Sequence, residues 1–316
     1  MYRYVLKRLL LMIPIVLGVS FLIYFIMDLA PGNIIDNLLT EDMSAEEEKA
    51  LIHAMGYDRG VVYRYLVYIK NLVLHGDLGT SYTTMRPVWE SFAARFPYTL
   101  WLAGASMIVA TVISIPLGIV SAVKNGTIID NGSMILALLG LSIPNFWLGI
   151  LLILAFSLHL GWLPSMGATA FSSCILPAIT IGTGYTATIT RTTRSSMVDV
   201  LRQDYLRTAR SKGLPEHKVI LKHALRNSLI PILTIMGTTL AHCLSGAVLT
   251  ETVFAWPGIG RLVVDAVNQR DVPMVTGIII MTTIIMSIVL LIVDLLYAVV
   301  DPRIRAQYVT GRGGRK

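Results

Sequence analysis

NGSMILALLGLSIPNFWLGILLILAFSLHLGWLPSMGATAFSSCILPAITIGTGYTATIT, residues 131–190, holds sixty residues without one Asp, Glu, Lys or Arg. A bilayer core is crossed by a helix of about 20 apolar residues, so this stretch is too long for one span. Gly161, Pro164 and Gly167 punctuate its middle and divide it into two. Further uncharged runs lie at 9–27, 96–123, 227–250 and 272–293. Charged residues make up 14% of the 316-residue chain, against about 25% in soluble proteins. The reading is an all-α polytopic membrane protein, which disfavours a soluble enzyme, a disulfide scaffold or a disordered chain.

Six spans are expected, near 9–28, 98–122, 133–158, 175–196, 229–250 and 274–300, with both termini on one side. Placing the N-terminus, the 123–131 turn, the 191–226 segment and the C-terminus in the cytoplasm puts 18 of the 26 basic residues there and 8 outside. The net charge of +7 is therefore a consequence of topology and calls for no nucleic-acid partner. The domain reading is an N-terminus and first span over 1–28, an external cap over 29–97, a five-span core over 98–300 and a cytoplasmic tail over 301–316. Arg3, Lys7 and Arg8 precede 19 uncharged residues, longer than a signal-peptide core and without an A-x-A site, which reads as a retained anchor. Cys174 and Cys243 lack C-x-x-C spacing and suggest neither a metal site nor a disulfide.

Outside the lipid, Glu46, Glu47 and Glu48 precede Leu51, Ile52 and Met55 in a helical rhythm. Val62, Tyr65, Leu66 and Ile69 mark a second cap helix stopped at Gly76. The cap is either a lid or a docking face. On the cytoplasmic side, nine basic residues between Arg191 and Arg226 accompany two short helical stretches, within a coupling segment set at 197–226. Gly213 suits a left-handed helix end, and Pro215 the first turn of the next helix.

The segment Asp204 to Arg226, DYLRTARSKGLPEHKVILKHALR, resembles the cytoplasmic loop of binding-protein-dependent ABC importer permeases. Of that loop's consensus, Glu-Ala-Ala, three residues, Gly, nine residues, Ile-x-Leu-Pro, only Ala209, Gly213 and Leu225 match literally. The Tyr-x-Arg-Thr-Ala-Arg-x-Lys-Gly-Leu form is similar to the dipeptide, oligopeptide and nickel branch. The likeness extends through MYRYVLKRLLLMIP, Ala30-Pro31-Gly32-Asn33, Gly76-Asp77-Leu78-Gly79, Pro87-Val88, Thr193-Arg194-Ser195-Ser196-Met197, the run from Glu251 to Arg261, and Asp301-Pro302-Arg303-Ile304-Arg305.

The resemblance implies a type I ABC importer permease with six transmembrane helices in the cytoplasmic (inner) membrane, the subunit with the long first external loop. Implied partners are a second permease subunit, two cytoplasmic ATPases, an external solute-binding protein and membrane lipid. No G-x-x-x-x-G-K-[ST] occurs, so ATP and Mg are expected on the ATPases and this chain is expected to be non-catalytic, with no cofactor or metal of its own. The implied ATPase contact is Arg207, Thr208, Ala209, Lys212, Gly213, Leu214, Pro215 and Glu216. Expected cargo is a di- or oligopeptide, with nickel or metal chelates and glutathione as alternatives.

Inside the membrane, span four is rich in threonine. Thr183, Thr186 and Thr190 either serve tight packing or line a translocation path. Asp294 is a formal charge inside the last expected span, either an ion-pair member or a gating residue. His242 reads as a packing residue, and Pro116, Pro144 and Pro177 as sites of bending. An ion-coupled secondary transporter is the competing class; it would need more intramembrane carboxylates than Asp294. An intramembrane enzyme has no supporting H-E-x-x-H or G-x-S-x-G motif.

Overall fold

A computed structural model describes residues 2–29 and 44–300. The motif residues at 30–33 and 301–305, and the tail over 301–316, lie outside the described residues. Helix α1 is Tyr2–Leu29. The cap contributes α2, Ala45–Ala54, and α3, Val61–His75. Ser44 and Glu47 bond reciprocally at the start of α2, closing two backbone donors that a helix start leaves open. Gly76, at φ +66°, donates its N–H to Leu72 O at 2.9 Å and ends α3 as expected. The buried face of α3 differs from the expected one: Tyr65 is buried, whereas Val62 and Leu66 are exposed. The Tyr65 hydroxyl reaches Leu17 O at 2.8 Å and Ser20 Oγ at 2.9 Å, fastening the cap to α1.

Helix α4, Val88–Val123, starts well before the expected 98 and carries Pro97 and Pro116 inside it. Its 36 residues extend about 54 Å at roughly 1.5 Å per residue, longer than the hydrocarbon core, so the expected cap boundary at 97 falls within one continuous helix. One face carries Ser106, Ala110, Ser114, Gly118 and Ser121, all buried and all small. This stripe admits α7, Ile175–Leu201, at close range. A Cβ on Gly118 would lie 2.5 Å from Thr193 Cβ, and one on Gly182 would lie 2.9 Å from Ser106 O. Small residues at spacings of three and four let membrane helices meet backbone to backbone, where lipid offers no hydrophobic drive between them.

The expected third span, 133–158, is a broken pair. Helix α5, Ile128–Ser142, and α6, Asn145–Leu152, which passes into a π-helical turn over Ile153–His159, meet at 93°. Pro144 explains the break: it has no N–H for the ladder and drives Ile143 into an extended conformation, at ψ 124°. Helix α8 is Asp204–Ser211, and α9 runs Glu216–Leu244. The fifth span was expected to reach 250. It ends at Leu244, because Gly246 at φ +93° turns the chain with the backbone of Gly260 packed against it. Two short helices follow, α10, Val248–Val253, and α11, Ile259–Asn268, and then α12, Val272–Val300.

Among the described residues, four helical segments are long and apolar enough to cross a membrane: Val5–Leu29, Val88–Val123, Glu216–Leu244 and Val272–Leu295. The bent α5–α6 pair makes a fifth. Helix α7 has the length, 27 residues, but its threonines and glycines dilute its apolarity. It sits centrally, packed on α4, α5 and α9.

Candidate functional site

The loop expected to be cytoplasmic is built on a small apolar anchor. Leu206 of α8 and Val219 and Ala224 of α9 are fully buried against Met197 of α7 and Ala122 of α4, so α8 is held to the ends of two spans. Gly213 takes φ +77°, where a side chain is disfavoured, and donates its N–H to Arg210 O at 2.9 Å. Pro215 caps the next helix from outside its first turn, one position earlier than expected. Arg207, Thr208, Lys212, Gly213, Pro215 and Glu216 are exposed together; Ala209 and Leu214 turn half inward onto the anchor. Across the glycine, Arg210 forks onto Glu216, Nε to Oε2 at 3.1 Å and Nη2 to Oε1 at 2.8 Å. Arg210 was absent from the expected set, although opposite charges flanking a glycine turn are a readable signal for such a clamp.

A second polar junction stands directly above. Arg194, near the end of α7, donates Nε to Asp130 Oδ1 and Nη2 to Asp130 Oδ2, each at 2.7 Å. The Asp130 side chain is 3% exposed, and its oxygens also accept from Ser121 Oγ at 2.5 Å and Gly126 N at 2.9 Å. Arg194 further donates to Asn125 Oδ1 at 2.8 Å. The junction binds the ends of α4, α5 and α7 into one block beside the 204–216 loop. Its acid is hard to find in the sequence because Asp130 lies in the first turn of α5, an ordinary place for an acid, and meets its cation 64 positions away.

The threonines of α7 divide by face. Thr186 and Thr190 are buried against α4: the Thr190 hydroxyl donates to Ser114 O at 3.4 Å, and Ser114 Oγ donates to Thr186 O at 3.2 Å. Within this subunit both serve packing. Thr183 is half-buried, its hydroxyl returning to Ile179 O at 2.9 Å. The uncovered face carries Thr188, Arg191, Ser195 and Asp199, at helical spacings of three and four. Asp294 pairs with Arg8 of α1 at 2.5 Å.

Between α9 and α12, the run from Glu251 to Arg261 wraps a buried carboxylate. Glu251 is fully buried, accepts from Thr99 Oγ1 at 3.1 Å and Arg261 N at 3.0 Å, and fills the space that a Cβ on Gly258 or Gly260 would take. Burial holds its carboxyl above the ordinary range, against the opposing pull of these donors. Trp256, also fully buried, donates Nε1–H to Tyr98 O at 3.1 Å.

Among the described residues the elements are helices, several of membrane length, around a threonine-rich central helix and a glycine-turned loop, which defines a polytopic helical membrane protein. Residues 114–306 match the family described as "Binding-protein-dependent transport system inner membrane component", and residues 1–103 match the N-terminal part of the same membrane component. The chain belongs to this family. Among its relatives, the dipeptide transport system permease protein DppB of Escherichia coli (strain K12) is 40% identical, the alignment covering 96% of this chain and 99% of that one. The glutathione transport system permease protein GsiC of the same strain is 41% identical over the same shares. Of solved structures, an inward-facing conformation of the MetNI methionine ABC transporter superposes with a TM-score of 0.57 at 18% identity, covering 66% of this chain and 96% of that one. The fold is that of an ABC importer permease.

Proposed function

We propose that this chain forms half of the translocation pore of a di- or oligopeptide importer and passes the motion of cytoplasmic ATPases to its spans. The observation that carries this reading is the exposed, glycine-turned segment from Arg207 to Glu216, fixed by buried Leu206 and Val219 to the ends of α4 and α7. A force on that surface is delivered to the threonine-rich helix without passing through lipid. The uncovered polar face of Thr188, Arg191 and Ser195 supports the pore assignment, since such a stripe on a membrane helix belongs against another subunit or in a water-filled path. Both termini are then cytoplasmic, the second permease subunit meets this one across the pore, ATP and Mg are bound by the two ATPases, and an external binding protein delivers cargo to the outer side. The Arg8–Asp294 pair ties the first and last spans and is assigned a structural role.

Similarity to the glutathione permease favours one second reading, glutathione as cargo, itself a tripeptide. Co-reconstitution with the partner permease, the ATPases and the binding protein, followed by uptake of labelled dipeptide and labelled glutathione, separates the two. ATP-dependent uptake of neither would end the proposal.

A further inference from the structure

Helix α3 has three sides. Tyr65, Tyr68, Ile69 and Leu72 pack inward, among residues of α1 and α12. Arg64, Asn71 and His75, at helical spacing, make a narrow polar arc. The third side is apolar and open: Val62, Leu66, Val73 and Leu74 are each more than half exposed, and Lys70 is the one charge among them. A helix lying in water turns its apolar residues to the core and its polar ones outward, so this side is the wrong way round for water. A contiguous apolar surface of this kind marks an interaction face.

The depth of α3 along α1 identifies what covers that face. Tyr65 donates its hydroxyl to Leu17 O, and Leu17 stands about 18 Å before Leu29, the end of α1, at roughly 1.5 Å per residue. Half of a hydrocarbon core is about 15 Å, so this side chain reaches the middle of a membrane span. The Tyr65 ring also meets Phe21 and Tyr24 edge-on, with centres 5.1 and 5.7 Å apart, which sets α3 beside the same half of α1. Phe21, Leu22 and Ile26 of that half are themselves exposed, so the open surface of α1 adjoins α3. The polar arc is held at the Leu29 end by the Arg64–Asp28 pair, and Leu66 lies on the opposite side of the helix. From this arrangement we infer that the open face of α3 is covered by lipid acyl chains. The helix lies within the leaflet at the Leu29 end of α1, as an interfacial amphipathic helix does, and is neither a lid above the membrane nor a docking face for a soluble protein. Lys70 can lay its methylenes along that surface and hold its ammonium among the headgroups. The inference holds whichever side of the membrane that leaflet faces, and it does not depend on what the pore carries.

The test is quenching of a fluorescent label on single cysteines of the full chain in phosphatidylcholine nanodiscs, with Cys174 and Cys243 replaced by Ser. Leu66→Cys and Val73→Cys probe the open face of α3, and Lys49→Cys, exposed on α2, is the water reference. Phosphatidylcholine carrying a nitroxide on its acyl chain should quench the labels at 66 and 73 roughly threefold more than the label at 49, and aqueous iodide should quench them roughly threefold less. Both positions are exposed, so neither substitution removes internal packing. In the chain with no substitution at all, phosphatidylcholine with a photoreactive acyl chain should crosslink within residues 61–75, which keeps the test standing should the labelled variants fail to fold. Iodide quenching at 66 and 73 equal to that at 49 would overturn the inference and leave the face to a soluble partner. Protection from both quenchers would overturn it too, since protein would then cover the face. So would crosslinking of the unsubstituted chain that spares residues 61–75.

Discussion

Arg194 and Asp130 meet side-on through two parallel hydrogen bonds of 2.7 Å, joining the C-terminal part of the threonine-rich helix α7 to the first turn of α5. The bidentate fork fixes distance and angle at once, a geometry that lysine could not reproduce. The junction therefore makes a rigid block of the elements against which the proposed coupling loop is anchored.

Removing one partner leaves the other charge poorly solvated. Arg194→Met should destabilise the chain by roughly 2 to 4 kcal/mol, below the upper range for buried pairs because the Arg194 side chain is 30% exposed. Asp130→Asn should cost a similar amount, and the double variant less than the two combined. Thermal unfolding of the three variants in detergent, read as a double-mutant cycle, checks this; strict additivity would show that the pair is not coupled.

The division of the α7 threonines can be tested by labelling. With Cys174 and Cys243 replaced by Ser, Thr188→Cys should react with a membrane-impermeant thiol reagent in the assembled transporter. Thr190→Cys, sealed against α4, should not. Reversal of the two would place the pore on the other face of the helix.

Close approach of α4 and α7 depends on the absence of a Cβ at Gly118. Gly118→Val would press atoms into Thr193 and should cost about 1 to 3 kcal/mol through overpacking. Gly104→Ala, on the same helix with nothing within 4 Å of its added carbon, should be within about 0.5 kcal/mol of the parent. Expression level and midpoint of thermal unfolding distinguish them.

Glu251 gives the outer motif a pH dependence. Burial raises its folded-state pKa above the unfolded value, near 4.3, so the folded chain binds that proton more tightly. The resulting stability is fully present below the unfolded pKa and is lost as pH rises through the folded one. Glu251→Gln removes the titration, and its unfolding midpoint should fall less than the parent's between pH 4.5 and 8. Equal slopes would show that Glu251 does not titrate differently on folding.

Much of this was legible in the chain because membrane spans announce themselves through missing charge. The positive φ of Gly213 and the helix stop at Gly76 followed from residues whose backbone preference is local. The right-angled break before Asn145 was harder to place, since Pro144 can kink a span or divide it and only its neighbours decide which. The carboxylate sites were hidden for a different reason. Asp130 and Glu251 gain their meaning from Arg194 and Thr99, partners 64 and 152 positions away, and no periodicity brings such pairs together. The threonine assignment shows the same limit: the sequence displays a polar helix, while packing on Ser114 decides which of its faces remains open.

The coupling claim is tested most directly at Gly213. Its surroundings are empty within 4 Å, so a substitution there acts through backbone strain alone. Val at φ +77° should cost on the order of 1 to 2 kcal/mol, too little to unfold the spans but enough to tilt the docking surface. Asn, which tolerates this conformation better, should stay close to the parent. The measurement is ATP hydrolysis and peptide uptake in one reconstituted preparation of the complete transporter. The account predicts that Gly213→Val inserts normally yet loses most uptake per ATP hydrolysed, or fails to retain the ATPases, while Gly213→Asn largely keeps both. A Gly213→Val transporter that assembles and imports peptide as the parent does would contradict it.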